Sequence, residues 1–390
     1  MITGTIGSRQ GREIRIQAPI EQQTSGGPLL RNQRVLGLIT TTLGAFANAI
    51  TVRGIQDYLD GALPPGVLGS APSIPSTPPV AKPEPPPIKP APVDPPRPII
   101  AGPKPLFAPY ETGKVFQECE ACPEMVVIVP DARGFTIGSP ENEVGRDANE
   151  QPFGPIRIGK PYAIGRFEIT RGQIAATSVR PGSGCYAWDG KEWKQDANAS
   201  WERPGFAQAV DHPAVCVNWS ESQEYVAWLN RQARTPGGNA YRLPTEAEWE
   251  FAARGDTTTA RYWGNDAERA CEYANVADRT SKEKLNWPTI HECTDGFVYT
   301  APVGRFKANK FGLHDILGNA WERVQDCVQE QYDETIRAGQ SVERENCDRR
   351  MVRGGAWYGG PAYVRSAIRS GNPPANRDYF VGFRVARTLP

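Results

Sequence analysis

Apolar and polar positions divide this chain into stretches of different texture. Near the N terminus Ile14 and Ile16 alternate with polar neighbours, and Arg34 to Thr40 (RVLGLIT) is an apolar run after a turn at Arg31-Asn32-Gln33. Period-two alternation and short β-branched runs predict strands, and Ile55 to Leu59 opens a short closing helix. Two later helices are announced by their caps. Ser220 with Gln223 precedes YVAWLNRQ, and Thr245 with Glu248 precedes EWEFAARG, which Gly255 ends. Elsewhere short apolar runs are broken by Gly, Pro, Asn and Asp, which predicts an α+β fold with few helices and much irregular surface.

Between these regions the pattern disappears. Residues 64–109 hold 18 of the 37 prolines, a density that excludes helix or sheet interior. The segment reads as a polyproline-II spacer, at ~3.1 Å per residue about 140 Å long if fully extended. The chain therefore divides into a small β-rich unit (1–62), a proline-rich linker (63–110) and a large domain (111–390). Some 60 residues is marginal for independent stability.

Charge and cysteine content narrow the function classes. Lys+Arg and Asp+Glu are equal at 44 each, so no net field draws the chain to nucleic acid or anionic lipid. No apolar run reaches the ~18 residues of a membrane span. The first residues show no basic and apolar signal-peptide pattern. All eight cysteines fall in the large domain, and an even count in a loop-rich domain favours disulfides in an oxidising compartment. That places the chain in the periplasm, outside the cell or at its surface. Neighbour pairing gives Cys119–Cys122, Cys185–Cys216, Cys271–Cys293 and Cys327–Cys347. Zinc at Cys119-x-x-Cys122 lacks a second CxxC or a His pair; buried free thiols are the remaining alternative.

Thr24-Ser25-Gly26-Gly27-Pro28-Leu29 resembles the nucleophile loop of trypsin-like and HtrA-like serine proteases, and RVLGLIT matches the strand after it. The resemblance covers the second half of such a domain. A serine nucleophile needs a general base, yet the three histidines, His212, His291 and His314, all lie beyond the linker, and Thr24 stands where that family has Asp. Ser25 is expected to be a remnant nucleophile position only.

In the large domain, ordered segments carry a second resemblance: Met125–Pro130 leading to Phe135–Ser139, Phe167-Glu168-Ile169-Thr170, Tyr241–Glu250 (YRLPTEAEWE), Phe311–Glu322 (FGLHDILGNAWE) and Val381-Gly382-Phe383-Arg384. In that order and spacing they are similar to the formylglycine-generating-enzyme, or sulfatase-modifying-factor, family. The resemblance implies a variant of the C-type lectin fold. It also implies two copper-holding cysteines five apart after a Gly-Gly-Ser-like motif. Here that motif is Gly354-Gly355-Ala356 and the two positions are Gly359 and Val364, which ligate nothing. Neither copper nor iron is expected, and no enzyme activity. The resemblance further implies structural calcium at Asn275, Val276, Asp295 and Phe297, and at Asp315, Gly318, Ala320 and Glu322. Trp249 and Trp321 are expected to anchor helices to the core.

The tail, 353–387, sets a frame of Gly, Trp, Pro, Arg and Phe around short variable runs. Within the family this pattern resembles variable proteins of diversity-generating retroelements, whose template copying turns AAC codons into NNC. Tyr358, Gly359, Gly360, Tyr363, Ile368, Ser370, Gly371, Asn372, Asp378, Tyr379 and Phe380 include none of the residues NNC forbids. Aromatic and small polar side chains together suit a binding face, with Arg365, Arg369, Arg377 and Arg384 bracing the loops. The leading expectation is a display protein that binds a protein or glycan ligand. A formylglycine-generating-type oxidoreductase or other enzyme of that fold is the alternative, and a serine protease with a lectin-like regulatory domain is a third.

Overall fold

The structure, a computed structural model, describes residues 110–389 apart from 189–191 and 234–239, together with five strands nearer the N terminus. The chain separates into two compact units, Met1–Ile99 and Ile100–Pro390. In the first, an antiparallel sheet runs in the order Thr5–Gln10, Glu13–Gln17, Phe46–Thr51, Arg34–Leu43, Pro28–Arg31. The strands read from Ile14–Ile16 and from RVLGLIT are both present. Ser25, the helix expected at Ile55–Leu59 and the proline-rich segment lie outside the described residues.

The second unit is built on a five-stranded sheet in the order Tyr241–Arg242, Ala386–Thr388, Tyr162–Gly165, Met125–Ile128, Val115–Phe116. Its central strands are buried on both faces. Met125, Val127 and Ala163 pack with Tyr225, Leu229 and Phe383 on one side. Val126, Ile128, Tyr162 and Ile164 pack with Trp249, Leu317 and Val324 on the other. Alternate side chains leave a strand on opposite faces, so one short apolar strand serves two cores. A second sheet runs Arg369–Asn372, Arg350–Arg353, Trp321–Cys327, Val381–Phe383. Its last pair is parallel, with Trp321 opposite Val381.

Two longer helices cover these sheets. Trp219–Ala233 is capped by Asn218 and Glu221 rather than by Ser220 and Gln223. Asn218 Oδ1 accepts from Glu221 N at 2.9 Å while Glu221 Oε2 accepts from Asn218 N at 2.8 Å. An Asn side chain is short enough to reach the third backbone N–H, and Ser220 falls inside the first turn. Glu246–Arg254 starts at the expected Thr245–Glu248 box and ends at Gly255, whose φ of 54° is left-handed. Arg171–Ala175, Arg279–Leu285 and Glu334–Arg337 are too short to give a periodic signal. Trp321, expected beside a helix, instead opens the strand Trp321–Cys327.

The four disulfides pair as read from the sequence, including Cys119–Cys122 and Cys185–Cys216, which excludes zinc at the CxxC pair. They fit an oxidising compartment. Among the described residues no helix is long and apolar enough to cross a membrane.

Candidate functional site

The loop from Arg353 to Arg365 begins with two glycines that no other residue could replace. A Cβ on Gly354 (φ 96°) would meet Ile316 O at 2.9 Å, and one on Gly355 (φ 80°) would meet Tyr363 O at 2.2 Å. Main-chain bonds then tie the loop to two other segments. Trp357 N donates to Asn319 O at 3.0 Å, and Ala277 N donates to Gly359 O at 3.1 Å. Within this frame the loop turns back on itself, so that a Cβ on Gly359 would lie 3.1 Å from Val364 Cγ2. The fold thus brings together the two positions read as a missing thiol pair. All eight cysteines are engaged elsewhere in disulfides, so the residues present do not fit copper at this loop.

Arginines from the tail fix the loop to buried carboxylates. Arg365 bonds Glu143 at 2.6 Å and Glu150 at 2.7 Å. Arg353 pairs with Glu246 and Glu250, Arg369 with Glu246, Arg377 with Glu221, and Arg384 with Glu322. Arg353, Arg365, Arg369 and Arg384 are almost wholly buried. The bracing role read for four of them is what the structure gives them. A buried pair whose partner is removed leaves an uncompensated charge, so breaking any one of these contacts is costly.

Aromatic rings wall the site on the side of Tyr358. Trp193 contacts Tyr358 at 5.5 Å between centroids, Tyr379 at 5.7 Å and Phe380 at 5.2 Å. Trp188 and Trp287 complete one side of the wall, while Trp357 and the stacked pair Phe206–Tyr299 (4.5 Å, 5°) form its floor. Trp188 and Trp193 end the two strands of a hairpin, Cys185–Trp188 and Trp193–Asp196, which Cys185–Cys216 tethers. Sequence reasoning missed this wall. The Asp189-Gly190 dipeptide between two Trp-bearing runs was the available signal, since Asp-Gly marks tight hairpins.

Of the eleven tail positions, only Tyr363 is exposed, at 55%. Tyr358, Ser370, Gly371 and Phe380 are half-buried; Gly359, Gly360, Ile368, Asn372, Asp378 and Tyr379 are buried. Tyr358, Tyr379 and Phe380 come together in the aromatic wall. Asn372 and Asp378 meet on the inside, where Asn372 Nδ2 donates to Asp378 Oδ2 at 2.7 Å and Arg323 Nη2 donates to Asn372 Oδ1 at 2.9 Å. The eleven side chains do not share one exposed face.

The residues read as calcium ligands gather in two places, one buried and one partly buried. Asp315 and Glu322 lie with Glu168, a residue read only as part of a motif, and all three carboxylates are at most 1% exposed. Arg384 engages both oxygens of Glu322, and Trp249 Nε1 donates to Glu322 Oε2 at 2.7 Å. Burial and the neighbouring Asp315 and Glu322 charges push Glu168 well above the ordinary carboxylate range, and burial pushes Asp315 up to about 7. Asp315 Oδ2 accepts from Gly304 N at 2.5 Å, while its Oδ1 has no partner among the described residues. Asn319, between the expected carbonyl donors Gly318 and Ala320, is held by Glu168.

At the other place, Asp295 Oδ2 accepts from Val276 N and its Oδ1 from Phe297 N. Burial pushes Asp295 up to about 7. Asn275 Oδ1 is buried and has no partner among the described residues. Asp278 places a carboxylate oxygen close to Asp295, beside Cys271, whose sulfur is committed to Cys293. Oxygen donors on loops suit a hard divalent cation.

Comparison with known proteins bears out the family read from the motifs. The profile of the "Sulfatase-modifying factor enzyme 1-like domain" matches residues 111–389. A "Formylglycine-generating enzyme" of Thermomonospora curvata is 27% identical over 289 residues, 65% of this chain and 90% of that protein. An "Inactive C-alpha-formylglycine-generating enzyme 2" of Bos taurus is 32% identical, covering 67% and 87%. A "Hercynine oxygenase" of Mycobacterium tuberculosis is 26% identical, covering 61% and 55%. Against the bovine and murine formylglycine-generating enzymes the chain spans about half their length. PvdO from Pseudomonas aeruginosa superposes with a TM-score of 0.62 at 31% identity, over 72% of this chain and 99% of that one. Treponema denticola variable protein 1 gives 0.49 at 20% identity over 71% and 99%.

These relatives correct one expectation. The absence of thiols at Gly359 and Val364 led to a reading of this chain as no enzyme, but the relatives are named as enzymes of two kinds. The two missing thiols exclude one chemistry, and loss of activity in a family member, as in the bovine protein named inactive, is a separate property.

Proposed function

Because this chain belongs to the sulfatase-modifying factor enzyme family, with its C-type-lectin-like fold, we propose that it is an enzyme that transforms a substrate held over the Gly359–Val364 loop, by chemistry other than that of a copper-bound cysteine pair. The observation that carries this reading is the 3.1 Å approach of a Gly359 Cβ to Val364 Cγ2. The loop brings together the two positions that the family resemblance marks for reaction, with buried arginines behind them. Relatives named as an oxygenase and as a formylglycine-generating enzyme support an oxidative reaction. The test is incubation of the full chain with a complex metabolite extract, followed by mass spectrometry. One component losing two hydrogens while dissolved dioxygen takes them to become hydrogen peroxide, with both changes abolished in Tyr363→Ala, is the expected result. No altered component would overturn the reading.

Calcium belongs to this reading as a structural ion. Asp315 Oδ1 and Asn275 Oδ1, both buried acceptors without a partner among the described residues, support one ion at each place. Glu322 is already occupied by Arg384 and Trp249, so at the second place Asp315 and the carbonyls of Gly318 and Ala320 would supply the ligands.

A second reading, a surface that binds a protein or glycan partner, is supported by the exposed Tyr363 alone. The burial of six of the eleven tail positions weighs against a surface diversified by a retroelement.

A further inference from the structure

Five aromatic side chains stand at the rim of the wall beside the Gly359–Val364 loop. Tyr186 is 40% exposed, and Trp188, Trp193, Tyr358 and Phe380 are half-buried. They touch one another in an unbroken series. Tyr186 stacks on Trp193 (6.1 Å, 11°), Trp188 lies 5.6 Å from Trp193, and Phe380 meets both Trp193 (5.2 Å) and Tyr358 (4.8 Å). Tyr358 immediately precedes Gly359, and the exposed Tyr363 immediately precedes Val364. Through Tyr358 the rim borders the Gly359 end of the proposed reaction site.

A contiguous, partly exposed aromatic surface in a soluble domain marks a binding face. The charged residues beside Phe380 are already engaged. Arg377 Nε donates to Glu221 Oε2 at 2.9 Å, and Asp378 Oδ2 accepts from Asn372 Nδ2 at 2.7 Å. What the rim offers is ring faces and ring edges. Such surfaces favour another ring in edge-to-face or offset geometry.

We propose that this rim is the substrate's docking face, and that it selects substrates carrying a planar aromatic ring next to the atom that reacts. The proposal rests on the reading of the Gly359–Val364 loop as a reaction site, and it names the substrate class of that site. Trp193 is its specificity-determining residue. Its ring joins the hairpin to the tail loops, and Cys185–Cys216 and the bridge between Tyr186 and Asp378 help hold the hairpin there.

The test is binding rather than turnover, so that its failure and the failure of the enzyme reading are separable. N-acetyl-L-tyrosinamide, N-acetyl-L-leucinamide and tetramethylammonium are titrated into the full chain and followed by saturation-transfer NMR. The tyrosine amide alone is expected to bind. Its Kd is expected to rise roughly ten-fold in Trp193→Ala and in Phe380→Leu, and to stay unchanged in Trp263→Leu, whose ring stacks on Tyr273 outside the rim. Near-UV circular dichroism checks that each variant is folded, and Phe380→Leu carries the test if Trp193→Ala is not. Equal binding of the leucine amide or the ammonium ion, equal loss in Trp263→Leu, or no binding of the tyrosine amide would each overturn the proposal. Ring-selective binding in a protein that alters no metabolite would uphold it and sink the enzyme reading alone.

Discussion

A Cβ on Gly359 would sit 3.1 Å from Val364 Cγ2 and 3.0 Å from Ala356 O. The approach is tight on two sides, against the valine branch and against the Ala356 carbonyl. Gly359→Cys alone should therefore overpack the loop and lower stability by about 1–3 kcal/mol. Gly359→Cys with Val364→Cys removes one valine branch and sets two thiols side by side. The double variant is expected to recover part of that loss and to bind one equivalent of copper(I), which the parent chain, lacking a free thiol, does not bind at this loop. Denaturant titration and a copper(I) competition assay read the two effects. A double variant less stable than the single one would show that the two positions do not share a space.

The carboxylates around Arg384 make a second prediction. Arg384 is the cation that engages Glu322 amid Glu168 and Asp315, all of them buried. Arg384→Met should cost about 3–5 kcal/mol, because it leaves charge buried without its partner. Calcium should raise the melting temperature of the parent chain, and a chelator should lower it, by mass action on the folded state. Asp315→Asn should diminish that calcium effect while costing little in calcium-free buffer, since the ionised Asp315 is disfavoured there. Differential scanning calorimetry with and without calcium decides. A calcium response unchanged by Asp315→Asn and by Asn275→Ala would place the ion elsewhere.

How much of this was legible beforehand depended on whether a contact is local. The Thr245–Glu248 box and its Gly255 stop are near neighbours in sequence, and they read directly. The four disulfides read well because each closes a short loop, from three to 31 residues. The tail failed as a surface because exposure is not local. Ile368, Asn372 and Tyr379 look like surface residues, yet Ile368 and Tyr379 pack in one cluster with Trp321, Trp357 and Val381, and Asn372 bonds Arg323 and Asp378. Glu168 escaped because its partners Asn319 and Ala320 lie 151 and 152 residues away.

The hairpin tether yields a prediction of its own. Cys185–Cys216 closes a loop of 31 residues, for which loop-closure entropy gives about 3–4 kcal/mol. Replacing both cysteines with serine should cost that much or less. It should also weaken the near-UV dichroism of the tryptophans, because Trp188 and Trp193 hold their angles to Trp287 only while the hairpin is fixed. An unaltered near-UV spectrum in the double serine variant would mean that the rings, rather than the disulfide, hold the hairpin.

The last prediction concerns pH and His291. Its ring is fully buried, with Nδ1 donating to Ala267 O at 2.7 Å and Nε2 without a partner among the described residues. Burial lowers its pKa below the ordinary 6.5. The folded chain therefore binds this proton less readily than the unfolded chain. The neutral ring's contribution is complete above the unfolded value and is lost as pH falls from there through the folded one. His291→Gln keeps a donor for Ala267 O and removes the titration. Relative to that variant, the parent chain should lose stability below pH ~6.5, at up to about 1.4 kcal/mol per pH unit. Urea titrations of both proteins between about pH 7.5 and 5 give the difference directly, and the carboxylates that also titrate there cancel between them. A gap that widens in favour of the parent chain as pH falls would mean that the buried ring is charged in the folded state.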